Sequence, residues 1–295
     1  MTALRTAPGV PAAALTAART WGWTGQDATL LRHHGAIVVH LPQDGVVLRL
    51  TPAEHAQAAE RAVIVTRWLL ERGVAVTEPA HVEQPLHLGE AVATAWIYYP
   101  QPAFPSESAP EHLGRILADL HRAGTPPVDL PAYRPLAALD TTLDTARCLD
   151  EQDIADLRNR IKDLRRAYDS LDFPLGTGLV HGDAYPGNTL LDERFGVRLG
   201  DWDECAFGPR EVDLANVWQG QRRFGRPLEH VEVFSRAYGY DLSSWSGIHT
   251  LVSLRDLHTL SAFIRAADRG DHNALAQVRH RIRTLDDPTA SWASR

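Results

Sequence analysis

Between two blocks of helical periodicity lies a run that fits neither: Leu179 to Leu214, LVHGDAYPGNTLLDERFGVRLGDWDECAFGPREVDL. Leu190-Leu191 and Val197-Arg198-Leu199 are short apolar runs joined by the polar turn Asp192 to Gly196, the pattern of a β-hairpin. Asn188 stands at the entrance of the first strand and Asp201 at the exit of the second. Antiparallel pairing brings such positions together, with facing residues roughly 5 Å apart. An amide oxygen and a carboxylate that close form a hard oxygen site suited to Mg²⁺, which needs few protein ligands when phosphates and water complete its octahedron. Asp183, one tight Pro-Gly loop upstream, is placed to reach the same space, where a carboxylate can orient a hydroxyl and accept its proton. His181, two residues earlier, can hydrogen-bond backbone and hold the loop in shape.

The rest of the chain divides around this run. At 295 residues it exceeds the size at which one core stays undivided, so two lobes are expected. The first third reads as α+β. A short N-terminal helix precedes two strands, Gly35 to Leu41 and Gly45 to Leu50, joined by Pro-Gln-Asp-Gly turn chemistry. Thr51-Pro52-Ala53-Glu54 predicts a helix start, with apolar spacing through Leu70 and a stop at Gly73. Two further strands are expected over Val74 to Val82 and Ala91 to Tyr99. The Pro-rich stretch Pro100 to Pro110 reads as a hinge. Beyond it, Ser108-Ala-Pro-Glu111 is a capping-box pattern before a helix to Arg122. Glu151 to Leu171 is amphipathic, and Val212 onward reads as several helices. The expected domains are therefore 1–99 and 100–295.

Composition excludes several classes. The formal net charge of −7 disfavours nucleic-acid binding, which needs a basic face. No run of eighteen apolar residues spans a membrane, and the Ala- and Pro-containing N-terminus lacks the continuous apolar stretch of a secretory signal. Cys148 and Cys205 are too few for a disulfide framework, so a cytoplasmic protein with two reduced cysteines is expected; the expected assembly is a monomer or homodimer.

His181-Gly182-Asp183-x-x-x-x-Asn188 resembles the catalytic loop of the aminoglycoside phosphotransferase family, relatives of the protein kinases. Leu199-Gly-Asp-Trp202 resembles that family's I-D-W segment. Gly208-Pro209 and Asp213-Leu-Ala215 match the G-P and D-L-A that follow it, and Leu113 to His121 resembles its L-G-x-x-L-A-x-L-H helix. The likeness runs from about Leu31 to the C-terminal helices. It implies an α+β, bilobal protein-kinase-like fold, with a small β-sheet lobe for nucleotide and a larger, mostly helical lobe. It implies ATP or GTP as phosphoryl donor, with Mg²⁺ on Asn188 and Asp201 and catalysis by Asp183 with His181. Asp213 would brace the catalytic loop from the next helix. The acceptor would be a hydroxyl of a small molecule, either an antibiotic (aminoglycoside-like, macrolide or nucleoside) or a sugar or amino-alcohol metabolite.

The chain departs from that pattern in its small lobe. Kinases hold phosphate with a strand lysine paired to a helix glutamate. Here the only lysine is Lys162, on the charged face of a later helix. Arg49 takes the corresponding strand position, on the face of Val47 and opposite Leu48 and Leu50. Its expected carboxylate partner is Glu60, with Glu54 as the alternative. The phosphate loop is thin, with Gly35 its single glycine, and the base is expected against Trp96, Ile97 and Tyr99. Asp203, Glu204, Trp245, Arg255 and His258 are the acceptor-site candidates. These departures also motivate a rival reading, a catalytically silent binding protein of kinase shape.

Overall fold

In the computed structural model, residues 9–34, 36–102, 110–193 and 196–293 are described. From the N-terminus the elements are α1 (Ala12–Thr20), β1 (Thr29–His34), β2 (Ala36–Leu41), β3 (Val46–Pro52), α2 (Ala56–Leu70), β4 (Leu86–Leu88) and β5 (Ala91–Ile97). The chain continues through α3 (Pro110–Arg122), α4 (Ala137–Thr145), α5 (Glu151–Asp169), β6 (Thr177–Val180), β7 (Thr189–Asp192), β8 (Gly196–Leu199) and β9 (Ala206–Pro209). It ends in α6 (Glu211–Phe224), α7 (Leu228–Tyr238), α8 (Ile248–His258), α9 (Leu260–Asp268) and α10 (His272–Thr284). By compactness these group into two units. One comprises Met1–Ser108, Arg122–Leu130 and Gly187–Cys205; the other comprises Ala109–His121, Pro131–Pro186 and Ala206–Arg295.

The first unit is built on a five-stranded antiparallel sheet in the order β1-β2-β3-β5-β4. Its central strand shows why Arg49 is tolerated. Val46, Leu48 and Leu50 are buried, in one cluster with Ala14, Ala17 and Ala18 of α1, while Val47 and Arg49 alternate to the other face. α2 buries Ala59, Ala62, Val63, Val65, Thr66, Trp68 and Leu69. The β7–β8 hairpin belongs to this unit and pairs Thr189 with Leu199.

Two sequence expectations fail here. Thr51 and Pro52 do not start a helix: they continue β3 opposite Val92 and Ala91, and a 3₁₀ turn, Ala53–His55, intervenes before α2. Proline lacks a donor, which costs little at a strand end. Val74 to Val82 is not a strand, making only isolated bridges from Val76 to Leu199 and from Pro79 to Trp96. Pro79 interrupts any continuous ladder. Conversely, β1 and β4 carry too little alternation to have been anticipated.

The second unit is helical, with a two-stranded β6–β9 ribbon. Gly114 of α3 lets that helix lie on α7, because a Cβ there would stand 2.7 Å from the Phe234 carbonyl oxygen. A buried polar knot fixes α8 to α6: the Asp256 carboxylate accepts from Arg223 Nε at 2.8 Å and from Gln219 Nε2 at 3.0 Å. Arg223 also donates to the carbonyls of Leu285 and Asp287, so the fully buried guanidinium is compensated on several sides. Among the described residues, no helix is long and apolar enough to cross a membrane.

Candidate active site

In the second unit, β6 delivers the chain into the loop His181-Gly182-Asp183, and α6 holds that loop from its first turn. The fully buried Asp213 accepts from the backbone N–H of His181 at 2.7 Å and of Gly182 at 2.8 Å. His121 of α3 lies with Nε2 3.1 Å from the same carboxylate and Nδ1 2.8 Å from the Tyr238 hydroxyl. A carboxylate only accepts, so Nε2 carries the proton in this contact. Asn216, one turn along α6, donates to the Ala184 carbonyl at 2.6 Å. The bracing role expected of Asp213 is thus what the geometry provides. His121 was missed as its partner, although it closes the L-A-x-L-H segment. His181 is fully buried, and its Nδ1 accepts the Asp183 backbone N–H at 3.2 Å. This contact holds the loop in shape, the structural part expected of His181.

Asp183 itself is partly exposed. Its Oδ1 accepts from Arg255 Nη2 at 2.5 Å, with His258 Nε2 at 3.6 Å. Burial pushes this carboxyl up, but Arg255 foremost, with His258 and His181, holds the group below its ordinary range. His258 is pushed down to about 4, by burial first and then by Arg255. It is therefore uncharged at neutral pH, which leaves the Arg255 guanidinium as the main positive charge against Asp183.

In the first unit, the hairpin ends as its register requires. Gly200 N–H donates to the Asn188 carbonyl at 2.8 Å, which sets Asn188 beside the residue preceding Asp201. Asp201 adopts a left-handed backbone (φ 62°), a conformation that carries strain for a residue other than glycine. The buried Trp202 anchors the turn, donating from Nε1 to the Leu199 carbonyl at 3.0 Å. Arg49 meets this turn with two contacts, Nη1 to Asp201 Oδ1 at 2.8 Å and Nη2 to Asp203 Oδ2 at 2.5 Å. Arg32 lies 3.8 Å from Asp201. Burial alone would weaken the charge on Arg49, but Asp201 and Asp203 hold its pKa above the usual value. Asp203 is pushed up by burial, relieved by Arg49 and raised again by the neighbouring Asp201. Arg49 Nε is buried without a hydrogen-bond partner among the described residues.

These contacts correct the predicted pairings. Glu60 is exposed and takes no part in holding Arg49, and the exposed Glu54 lies 3.7 Å from His55 instead. Arg49 is met instead by two carboxylates from the turn after β8, Asp201 and the acceptor-site candidate Asp203. Among the described residues no group of three or more His, Cys, Asp or Glu side chains forms a metal cage. An amide with one carboxylate suits a cation that retains water and phosphate ligands.

Ile97 and Tyr99 line a cavity of about 240 Å³ with Glu78, Tyr98, Pro100, Leu191, Asp192, Glu193 and Arg198. Trp96 does not line it; its indole N–H turns to Thr94 Oγ1 at 2.9 Å. Arg198 is the residue sequence reasoning missed here: it lies over the Tyr99 ring and donates to the Val76 carbonyl at 2.9 Å. Gly35 falls outside the described residues. Trp245 lines a separate cavity of about 410 Å³ with Asp172, Phe173, Pro174, Tyr240 and Ser244, apart from Asp183, Arg255 and His258. Glu204 is exposed on the turn after Asp201.

A braced His-Gly-Asp loop, a hairpin flanked by amide and carboxylate, and a sheet arginine facing that hairpin define a kinase-like phosphotransferase. Residues 35–248 match the model of the phosphotransferase enzyme family, and the chain belongs to that family. Its fold is similar to that of an amicoumacin kinase solved with AMP-PNP, Ca²⁺ and amicoumacin (16% identity, 89% of this chain and 88% of that one, TM-score 0.70). It is also similar to a choline/ethanolamine kinase family protein from Mesorhizobium loti (19% identity, 94% and 93%, TM-score 0.63). A third likeness is to a spectinomycin phosphotransferase solved with ADP and spectinomycin (14% identity, 88% and 92%, TM-score 0.60). Among curated protein sequences, none matches the chain significantly. The protein is accordingly a small-molecule kinase of mixed α+β, kinase-like fold.

Proposed function

We propose that this enzyme transfers the terminal phosphoryl group of ATP or GTP to a hydroxyl of a small molecule, with Mg²⁺ held by Asn188 and Asp201. The observation that carries this reading is Arg49: a sheet arginine beside the metal-binding turn, with one buried donor unused. Such a guanidinium can turn its fork from the turn carboxylates to phosphate oxygens. The adenine nucleotides bound in the similar amicoumacin kinase and spectinomycin phosphotransferase structures support the same donor class. Ile97 and Tyr99, in their cavity beside Arg198, would receive the base.

Bound between Asn188 and Asp201, the metal would offset phosphate charge. Arg49 binds and orients the phosphates. Asp183 orients the acceptor hydroxyl and takes its proton as the acceptor oxygen bonds to the terminal phosphorus. The bond from that phosphorus to the bridging oxygen breaks, and nucleoside diphosphate leaves. In this division residues 1–99, with the 187–205 hairpin segment, supply the nucleotide contacts, and the rest of 100–295 the acceptor side. The acceptor class stays broad (hydroxylated antibiotics, nucleosides, sugars and amino alcohols), because likeness of fold does not choose among them.

A turnover screen of those four classes against Mg²⁺-ATP and Mg²⁺-GTP tests the proposal. Product phosphorylated on oxygen, formed with at least one donor, is expected. Tight nucleotide binding with no transfer to any acceptor or to water would establish the silent-binder reading instead.

A further inference from the structure

Resting on the reading of Asp183 as the group that receives the acceptor hydroxyl, we infer that Arg255 is a positioning residue: it clamps the Asp183 carboxylate to its loop in the orientation transfer requires. Arg255, a candidate for the acceptor site, directs two of its donors at the Asp183 loop. Nη2 meets Asp183 Oδ1 at 2.5 Å, and Nη1 meets the carbonyl oxygen of the preceding Gly182 at 3.3 Å. One planar fork thus reads both the loop backbone and the reacting carboxylate, a geometry that a flexible ammonium cannot reproduce.

The root of the clamp is rigid. The Arg255 side chain is 6% exposed, and the next residue, Asp256, anchors α8 to α6 through Arg223 and Gln219. The other face of the loop is fixed by Asp213 through the N–H groups of His181 and Gly182. The carboxylate is therefore held between α6, which fixes its backbone, and α8, which fixes its oxygen.

Charge makes the same case. The ionisable groups around Asp183 are Arg255 and His258 from α8 and His181 from its own loop, with Arg265 of α9 acting on His258. His258 is uncharged at neutral pH. Without Arg255, burial would raise the Asp183 carboxyl, and a protonated carboxyl cannot receive a proton.

Phosphate release from Mg²⁺-ATP, with water as the acceptor, tests this across pH for wild type, Arg255→Gln, Arg255→Lys and Asp183→Asn. Nucleotide affinity is measured alongside by calorimetry. Arg255→Gln is expected to lower kcat roughly 10- to 100-fold, with nucleotide affinity unchanged. Its acid limb should move up by about one pH unit or more, as the paired cation is lost. Arg255→Lys keeps the charge, so it should retain the wild-type acid limb while recovering only part of kcat. If Arg255→Gln does not fold, Arg255→Lys decides alone: reduced kcat with a preserved acid limb supports the clamp, and wild-type kcat overturns it. Full activity and an unshifted profile in Arg255→Gln, beside an inactive Asp183→Asn, overturn the clamp alone. An Asp183→Asn variant as active as wild type overturns the reading of Asp183, and the clamp with it.

Discussion

At the scale of single residues, Arg49 shows how a charge is admitted to an apolar strand. Its neighbours Leu48 and Leu50 face a buried alanine helix, so the arginine must point the other way and find compensation there. Two carboxylates from one turn supply it, while Nε stays buried without a hydrogen-bond partner. Arg49→Ala should raise the nucleotide KM and lower kcat, whereas Arg49→Lys should keep partial activity by retaining charge without the planar fork. Steady-state kinetics with ATP and GTP check both, and the exposed Lys162→Ala serves as a neutral control. His258 carries a different signature. Its folded pKa is depressed from 6.5 to about 4, so the unfolded chain binds the proton more readily between those values. The stability associated with neutral His258 is present above about pH 6.5 and is lost as pH falls toward 4. Denaturant unfolding at pH 7 and pH 5 should therefore show a smaller pH-dependent loss in His258→Gln than in wild type.

At the scale of elements, what was legible in the chain followed locality. The hairpin of β7 and β8, with Asn188 and Asp201 at its ends, was legible because short apolar runs around a polar turn have few other ways to pair. The face of Arg49 followed from strand alternation. Pairings set by distant segments were not legible: Arg49 and Asp203 are 154 residues apart, and Asp183 and Arg255 are 72 apart. Helical proximity favoured Glu60 instead, yet that side chain faces solvent. Val74 to Val82 misled because its valines read as a strand, while Pro79 denies it a ladder. The brace between α6 and the 181–183 loop makes its own prediction. In Asp213→Asn, one acceptor oxygen becomes a donor facing a donor, leaving buried N–H groups unpaired at a cost of about 1–3 kcal/mol. Chemical denaturation should show that loss, with transfer reduced although Asp213 touches no reactant. Wild-type stability in Asp213→Asn would contradict the brace.

At the scale of the whole molecule, each compact unit brings a separate part of the chemistry. One joins the sheet arginine to the hairpin proposed to hold the metal, and the other braces a carboxylate on a loop held by two helices. Family membership fixes the class of reaction, and these residues assign its parts. The claim on which all else depends is that Asp183 acts on the acceptor and not on the nucleotide. The most direct measurement follows terminal-phosphate label from Mg²⁺-ATP and Mg²⁺-GTP in wild type and Asp183→Asn, with nucleotide affinity determined on the same samples. The expected result is unchanged nucleotide affinity with transfer reduced by about 10²–10⁴-fold. Transfer at the wild-type rate in Asp183→Asn, or loss of nucleotide binding that accounts for the whole defect, would contradict it.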